Sequence, residues 1–172
     1  MNELLKRIYA ELNITENHLS ANKLARCKQA YLHDLEVVDI DFDGRPFILA
    51  IPAAVAWRNM QQVAKSDGIF LEAYSGFRSY IYQKQLIARK LEKGRPLEAI
   101  LQETAIPGFS EHHSGCAVDI VTDAKYELLE HFDQTEAFKW LGENAGRFAF
   151  QLSYPRNNTK GIIYEPWHWC FS

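Results

Sequence analysis

Residues 110–119 read SEHHSGCAVD, and this stretch predicts a metal-binding turn followed by a buried strand. From Cys116 onward the segment is apolar except for Asp119. The two-residue period of a strand places Ala117 and Asp119 on one face and Val118 on the other. A carboxylate beside a small alanine leaves room for an ion and a substrate, while the opposite face anchors the strand in the core.

A second stretch, EPWH, ends at His168 and completes the set of ligand types. Zinc hydrolases typically use three protein ligands drawn from His and Asp/Glu, and keep a fourth position for water. Asp119, His168 and one histidine of the first stretch fit this pattern, and Glu165 is then free to act as a general base. The spacing alone does not decide between the adjacent His112 and His113.

Three further side chains are candidates for the same site. Arg78 lies on a Ser/Gly-rich turn, where its guanidinium could bind a substrate carboxylate or the oxyanion of a tetrahedral intermediate. Ser110 could donate a hydrogen bond to the substrate, and Trp167 could form an apolar wall beside His168. The plainer alternatives are a salt bridge for Arg78, loop capping for Ser110 and a structural carboxylate for Glu165.

The composition is that of an ordinary globular protein, with 172 residues, 47% of them hydrophobic and 24% charged. We expect a single domain over residues 1–172, with an N-terminal helical segment at about 1–34 and a catalytic core at about 35–172. The net charge of -3 argues against nucleic acid or an anionic membrane as partner. No secretory signal or membrane-spanning stretch is recognisable, so we expect a cytoplasmic location. The oligomeric state is not predicted.

Hydrophobic periodicity and breaker residues predict helices interspersed with short strands. The helices are expected at about residues 2–13, 20–32, 52–67, 80–93, 96–104 and 135–147, and the strands at about 35–42, 47–51, 69–74, 116–121 and 148–153, with a last strand entering Glu165. Ser20 is the expected N-cap of the second helix, Asp43-Gly44 the turn of a hairpin, and Val55, Met60 and Val63 the inward face of the third helix. Since strands and helices segregate, we predict an α+β domain with an antiparallel sheet.

Taken in order, the motifs resemble the VanY-type D-alanyl-D-alanine carboxypeptidases, which share a fold group with zinc D,D-dipeptidases and hedgehog-type domains. The matching segments, within about residues 45–171, are Ser75-Gly76-Phe77-Arg78-Ser79 with Gln83, Ser110-x-His112-x-x-Gly115-x-Ala117-x-Asp119 and Tyr164-Glu165-Pro166-Trp167-His168-Trp169. The resemblance implies a small central antiparallel sheet that carries one zinc ion and is flanked by helices.

The same resemblance implies a role for each matching residue. The zinc ligands would be His112, Asp119 and His168 and the base would be Glu165, whereas His113 occupies a position that the family leaves variable. A base beside the metal argues against a purely structural site, because a binding module needs no proton shuttle.

The resemblance also implies the substrate contacts. Arg78 would stabilise the substrate carbonyl as it becomes an oxyanion, and Ser110, Gln83 and Ser79 would contact the region of the terminal carboxylate. Relatives often carry an arginine after the Trp-His-Trp element, where this chain has Cys170, so the recognition of the carboxylate end is expected to differ.

The leading hypothesis is a zinc carboxypeptidase that removes a terminal D-alanine from peptidoglycan stem peptides. In the cytoplasm its substrates would be muropeptides, whose last bond is D,D in pentapeptides and L,D in tetrapeptides. A D,D-dipeptidase or a wall endopeptidase could use the same site. A non-catalytic zinc-stabilised peptide-binding module is an alternative of another class, and a cysteine hydrolase using Cys116 or Cys170 is the remaining one.

Overall fold

The structure is a computed structural model that describes residues 2–41, 44–122 and 128–172. These ranges contain helices together with small antiparallel sheets, which confirms the predicted α+β class. The helices are α1 (Glu3–Glu11), α2 (Glu16–Ala21), α3 (Ile51–Ser66), α4 (Tyr80–Glu92), α5 (Leu97–Ile100) and α6 (Glu136–Asn144). The strands are β1 (Leu35–Ile40), β2 (Pro46–Ala50), β3 (Glu72–Ser75), β4 (Ala117–Val121), β5 (Phe150–Leu152) and β6 (His168–Phe171).

The strands form two antiparallel sheets. β1 pairs with β2 in a two-stranded sheet, and the larger sheet has the order β3-β4-β6-β5. All five residues of β4 are buried, as expected for an inner strand covered on both faces. This larger sheet is the small antiparallel sheet that the resemblance implied, and its two inner strands carry Asp119 and His168.

The main core lies between α3 and the larger sheet. The helix buries residues three and four apart, among them Ala53, Trp57 and Met60, and the Trp57 ring meets the Phe150 ring of β5 edge to face at 6.4 Å. Met60 was correctly expected to point inward. Val55 was not: it is 52% exposed, because the buried stripe of α3 leaves the opposite side of the helix to solvent.

A second core joins α1 to α4, α5 and the loop before β4. Its fully buried members include Ile8, Ile87 and Ile100. The loop is tied down as well, since the Tyr9 hydroxyl donates to the Pro107 carbonyl at 2.8 Å. The N-terminal helix therefore supports the segment from which the first metal-binding turn starts.

The predicted helix over residues 20–32 is wrong. Helix α2 ends at Ala21, and the chain then runs without helix to residue 31. The backbone N–H groups of Cys27 and Ala30 donate across to carbonyls of the loop 106–114, each at 2.8 Å. Those tertiary hydrogen bonds replace the i to i−4 bonds of a helix, so this segment lies extended against the loop.

The last strand differs from expectation, and part of the predicted hairpin turn lies outside the described residues. The last strand does not enter Glu165: a turn, in which the His168 N–H donates to the Glu165 carbonyl at 3.1 Å, precedes β6. The two strands of the predicted hairpin are present as β1 and β2, whereas Asp43 of its expected turn lies outside the described residues.

None of the helices within the described ranges is both long and apolar enough to cross a membrane. The longest of them, α3, has 16 residues, against about 20 apolar residues for a span.

Candidate metal centre and active site

Three buried side chains, two from residues 112–119 and one from residue 168, converge where β4 pairs with β6. Antiparallel pairing sets Asp119 directly opposite His168, and His112 arrives on a 3-10 turn, Glu111–Ser114, that precedes β4. The Asp119 carboxylate lies 3.2 Å from His112 Nε2 and 3.0 Å from His168 Nδ1. One ligand atom from each of the three lies within 4.8 Å of the others.

The hydrogen bonding and protonation of His112 are those of a metal ligand. Its Nδ1 donates to the Gly76 carbonyl at 2.7 Å, which leaves a lone pair on Nε2. That Nε2 is buried and has no hydrogen-bond partner among the described residues. Tetrahedral zinc with bonds of about 2.0 Å separates its ligand atoms by roughly 3.3 Å, close to the observed contacts. Burial, followed by the charge of Arg78, lowers the pKa of His112 to about 4, so the ring is neutral, as a ligand must be.

His168 stands between two carboxylates. Its Nδ1 faces Asp119 and its Nε2 donates to Glu111, each at 3.0 Å. Burial lowers the pKa of His168, but the hydrogen bonds with these two carboxylates outweigh burial and raise it above its ordinary value. His168 Nδ1 therefore faces the cluster, while its second nitrogen is held by Glu111.

His113 is adjacent to His112 but serves the backbone. Its Nδ1 donates to the Arg78 carbonyl at 2.6 Å, and its Nε2 accepts from the Gly108 N–H at 3.0 Å. The ring is fully buried against the edge of Tyr80. With both nitrogens engaged, His113 has no lone pair for a metal, so of the two neighbours it is His112 that could hold one.

Glu165 lies beside the three-residue cluster without belonging to it. Its Oε2 is 3.9 Å from His168 Nδ1, and the residue is 8% exposed. Burial raises the pKa of Glu165 to about 7, and the nearby charge of Asp119 acts in the same direction, although His168 opposes them. A carboxyl group of this kind can both take and give a proton near neutral pH.

Hydrogen bonds of the turn after β3 hold Arg78 at the site. Its Nε donates to Ser75 Oγ at 2.9 Å and its Nη2 to the Asp119 carboxylate. The Arg78 backbone N–H also donates to the His112 carbonyl at 3.0 Å. The turn after β3 and the metal-binding turn are therefore held together by hydrogen bonds, and the guanidinium lies at the cluster in a salt bridge with Asp119.

A cavity of about 370 Å³ opens onto the cluster. Among its lining residues are all three candidate ligands together with Arg78, Glu165, Ser110, Gln83 and Trp167. Gln83 is buried, with Nε2 donating to the Ala105 carbonyl at 2.9 Å and Oε1 lacking a partner among the described residues. Ser79 is not among the lining residues, and its hydroxyl caps α4 by accepting from the Tyr82 N–H at 3.1 Å.

Sequence reasoning did not identify two residues at the centre. Glu111 bonds His168, and the Tyr154 ring lies 4.8 Å from the His168 ring. No sequence spacing points to either residue, because the partner of both, His168, lies elsewhere in the chain. The one signal for Glu111 was its place immediately before His112.

The cysteines do not form a nucleophilic site. All three lie within the described ranges, and none lines the cavity. Burial raises the pKa of the Cys27 and Cys170 thiols, and the charge of Glu111 adds to this effect. A thiol must ionise to attack, so this environment opposes the cysteine-hydrolase alternative.

Two imidazoles and one carboxylate, with a buried protonatable carboxyl group beside them, are the arrangement of a catalytic metal centre in a peptidase-type hydrolase. The sequence pattern of the VanY family, described as D-alanyl-D-alanine carboxypeptidase, matches residues 48–172. The chain belongs to this family.

Two relatives show how far the similarity extends. The Bacillus subtilis (strain 168) protein YodJ is 36% identical over 143 residues, covering 78% of this chain and 52% of YodJ. A D-alanyl-D-alanine carboxypeptidase of Enterococcus faecalis is 33% identical over 124 residues, covering 66% of this chain and 44% of the relative. The chain thus spans about half the length of the curated relatives it matches.

Solved structures share the fold. The LD-carboxypeptidase LdcB has a TM-score of 0.75 and 32% identity, covering 87% of this chain and 73% of LdcB. The vancomycin resistance D,D-pentapeptidase VanY, solved in complex with Zn(II), has a TM-score of 0.61 and 25% identity, with coverage of 88% and 80%. The fold expected from the resemblance is confirmed by these likenesses.

Proposed function

We propose that this chain is a zinc-dependent carboxypeptidase that releases the terminal D-alanine from peptidoglycan stem peptides. The observation that carries the proposal is the convergence of His112, Asp119 and His168 in a cleft, with Glu165 buried beside them. Membership of the VanY family supports the reaction, and the zinc complex of a VanY protein supports the metal.

In this proposal His112, through Nε2, Asp119, through a carboxylate oxygen, and His168, through Nδ1, would hold the zinc. When bound, the ion supplies a Lewis acid that polarises the scissile carbonyl and acidifies water. The protein fixes which nitrogen of each imidazole is free, because the Gly76 carbonyl engages His112 Nδ1 and Glu111 engages His168 Nε2.

Glu165 moves the proton. A carboxylate whose pKa lies at about 7 can accept a proton from the attacking water and deliver it to the leaving amine of D-alanine. Both transfers would use the Glu165 carboxylate, whose Oε2 lies 3.9 Å from His168 Nδ1 in the ligand cluster. Positioned acid/base groups of this kind contribute roughly 100- to 10,000-fold to rate.

Arg78 and three lining residues would hold the peptide. The Arg78 guanidinium can turn from Asp119 to the carbonyl oxygen as negative charge develops there. Ser110 offers a hydroxyl, Gln83 an unpartnered carbonyl oxygen and a second amide N–H, and Trp167 an apolar wall. Ser79 is left out of this set because it does not line the cavity.

The direct test is hydrolysis of defined substrates by zinc-loaded protein. Tetrapeptide and pentapeptide muropeptides are incubated separately with the protein, and a chelator-treated sample is the control. The masses of the products are measured by mass spectrometry. We expect the loss of one alanine from at least one substrate. Release of a dipeptide or an internal cut would indicate the dipeptidase or endopeptidase alternative, and no release from either peptide would contradict hydrolysis altogether.

Action on muropeptides inside the cell is also a proposal. It is supported by the absence of disulfides among the three cysteines, all of which are free, as is usual in a reducing compartment. Cell fractionation with an antibody against the chain would test it. Recovery from the wall or membrane fraction would contradict the cytoplasmic location without affecting the chemistry.

A further inference from the structure

The side of His168 that faces away from the candidate metal position is occupied by a carboxylate. His168 Nε2 donates to Glu111 Oε2 at 3.0 Å, while His168 Nδ1 faces Asp119 Oδ1 at the same distance. The two nitrogens therefore have separate partners, one inside the cluster and one behind it.

Glu111 is itself held in place by two other groups. The Ser153 hydroxyl donates to Oε2 at 2.5 Å, and the Lys160 ammonium lies 3.3 Å from Oε1. Ser153 follows β5, the neighbour of β6 in the sheet, and its N–H donates to the His168 carbonyl at 3.2 Å. Backbone and side-chain bonds thus converge on the same short part of the sheet.

The position of Glu111 in the chain gives this bond a second consequence. Glu111 opens the 3-10 turn that carries His112, and His168 opens β6. One carboxylate thereby ties the element bearing the first histidine ligand to the element bearing the second. The two imidazole rings also meet edge to face, with 4.9 Å between their centroids.

Metal-binding histidines commonly donate their second ring N–H to a carboxylate or a carbonyl, which fixes the tautomer and the ring orientation. For His112 that acceptor is the Gly76 backbone carbonyl, which no side-chain substitution removes. For His168 it is a side chain that can be changed.

We infer that Glu111 is a positioning residue of the metal centre: by accepting the Nε2 proton of His168 it keeps the Nδ1 lone pair directed at the metal. This rests on the proposed zinc function, because it assigns a role within that site. Glu111 touches neither substrate nor reacting atoms in this scheme. Its effect on hydrolysis passes entirely through the imidazole.

The test measures zinc affinity rather than activity. Wild type, Glu111→Ala, Glu111→Gln and Glu103→Gln are titrated against a chromophoric zinc chelator at neutral pH. Loss of such an outer partner typically weakens metal binding by roughly 10- to 100-fold. We expect that loss for Glu111→Ala and a smaller one for Glu111→Gln, whose amide oxygen can still accept the proton.

Glu103→Gln is the matched control. Glu103 is a carboxylate that lines the same cavity and pairs with Lys90 and Arg95, but contacts none of the ligands. Its zinc affinity should stay within about twofold of wild type. Affinities within twofold of wild type for Glu111→Ala as well would overturn the inference.

A spectroscopic readout separates positioning from general damage. In zinc-loaded wild type labelled with ¹⁵N, the His168 Nε2 proton should be visible and protected from exchange, and in Glu111→Gln its shift and exchange rate should change. An unchanged signal would contradict the inference. If Glu111→Ala does not fold, Ser153→Ala, which removes one donor to Glu111, should still weaken zinc binding in the same direction.

Failure of the proposed function gives a different result from failure of this inference. The function is contradicted if the wild type binds no zinc, or binds zinc and cleaves neither muropeptide. The inference alone is contradicted if the zinc-loaded wild type is active and Glu111→Ala binds zinc with the same affinity.

Discussion

His112 and His113 are neighbours of one residue type with opposite tasks. His112 donates a hydrogen bond from Nδ1 to a backbone carbonyl and keeps a lone pair on Nε2, whereas both nitrogens of His113 form hydrogen bonds with backbone groups. Both pKa values are lowered to about 4, with burial as the largest cause. Two neutral imidazoles therefore differ in function only through the partners that the fold supplies.

The role of Glu165 can be tested by removing its charge alone. Glu165→Gln should bind zinc as wild type does, because Glu165 is not among the ligands, and should lose roughly 100- to 10,000-fold in turnover with the proton shuttle. Metal content by atomic absorption and alanine release by mass spectrometry measure the two effects.

Glu136→Gln is the control for these two measurements, zinc content and turnover. Glu136 lies on α6 with its side chain 79% exposed and should leave zinc content and turnover unchanged. Full turnover in Glu165→Gln would remove Glu165 from the chemistry.

At the scale of elements, register places the ligands. β4 pairs with β6 so that Asp119 lies opposite His168, and with β3 so that Asp119 lies opposite Ser75. A slip of one residue in either ladder would turn the Asp119 side chain to the other face of the sheet. The apolar residues that alternate with it, Val118 and Ile120, prevent that slip by their burial.

The turn after β3 depends on a residue without a side chain. A Cβ at Gly76 would lie 2.4 Å from the Ile48 carbonyl oxygen and 2.7 Å from the Phe47 ring. Gly76→Ala should therefore lower the free energy of unfolding by roughly 1–3 kcal/mol. Since Gly76 also accepts from His112, zinc affinity should fall too.

Gly142→Ala is the opposite case in the same protein. It lies within α6, and nothing is within 4 Å of an added Cβ. It should stabilise the protein by up to about 1 kcal/mol through helix propensity. Urea denaturation of the two variants measures both changes, and equal effects would contradict the steric argument.

The segment after α5 is joined to α4 by an ion-pair cluster. Glu103 lies 2.5 Å from both Lys90 Nζ and Arg95 Nη1. Burial raises the pKa of Glu103, but the hydrogen bonds from Arg95 and Lys90 outweigh it and lower the pKa below the ordinary 4.5.

A lowered folded-state pKa means that the unfolded chain binds the proton more readily, so the stabilisation is present above about pH 4.5 and is lost as the pH falls through the folded value. The difference in unfolding free energy between wild type and Glu103→Gln should be about 1 kcal/mol or less at pH 7. It should shrink towards pH 3. A difference that grows with acidification in urea titrations would contradict the assignment.

At the scale of the whole molecule, the candidate centre lies where separately packed parts meet. The main core packs behind β4 and β6, while the second core supports the loop that leads to His112. A metal that bridges the turn and the two strands would hold these parts together only in the folded chain.

Zinc should therefore raise the melting temperature. At a free zinc concentration of 100 times Kd the stabilisation is about 2.7 kcal/mol, which for a protein of this size corresponds to roughly 5–10 °C. Differential scanning calorimetry with zinc and with excess chelator measures the shift. His112→Ala should show little of it, and an identical melting temperature for wild type under both conditions would contradict a bridging metal.

Local patterns were enough for most elements and failed where tertiary bonds compete. β4 and α4 followed from alternation and from helix start and stop signals. The segment 20–32 had helical spacing but bonds the loop 106–114 instead. Val55 satisfied the helical pattern and still faces solvent, because the pattern does not say which side of the helix meets the sheet.

The site divides in the same way. Asp119, His168 and Glu165 followed from the ligand pattern, and the resemblance favoured His112 over His113. The convergence of His112, Asp119 and His168 is now visible as geometry. Glu111 carries no motif, since its meaning depends on His168, 57 positions away. Ser79 matched the motif, and only the structure shows that its hydroxyl also caps α4.

By itself, the sequence determined the antiparallel α+β fold, the family and the residue types available for metal chemistry, because these follow from periodicity and from motifs that lie close together in the chain. Only the tertiary structure decided which histidine nitrogen is free, which carboxylate stands behind His168 and which residues line the cleft. The reason is that hydrogen-bond partners and burial are properties of groups brought together from distant positions, and no local spacing encodes them.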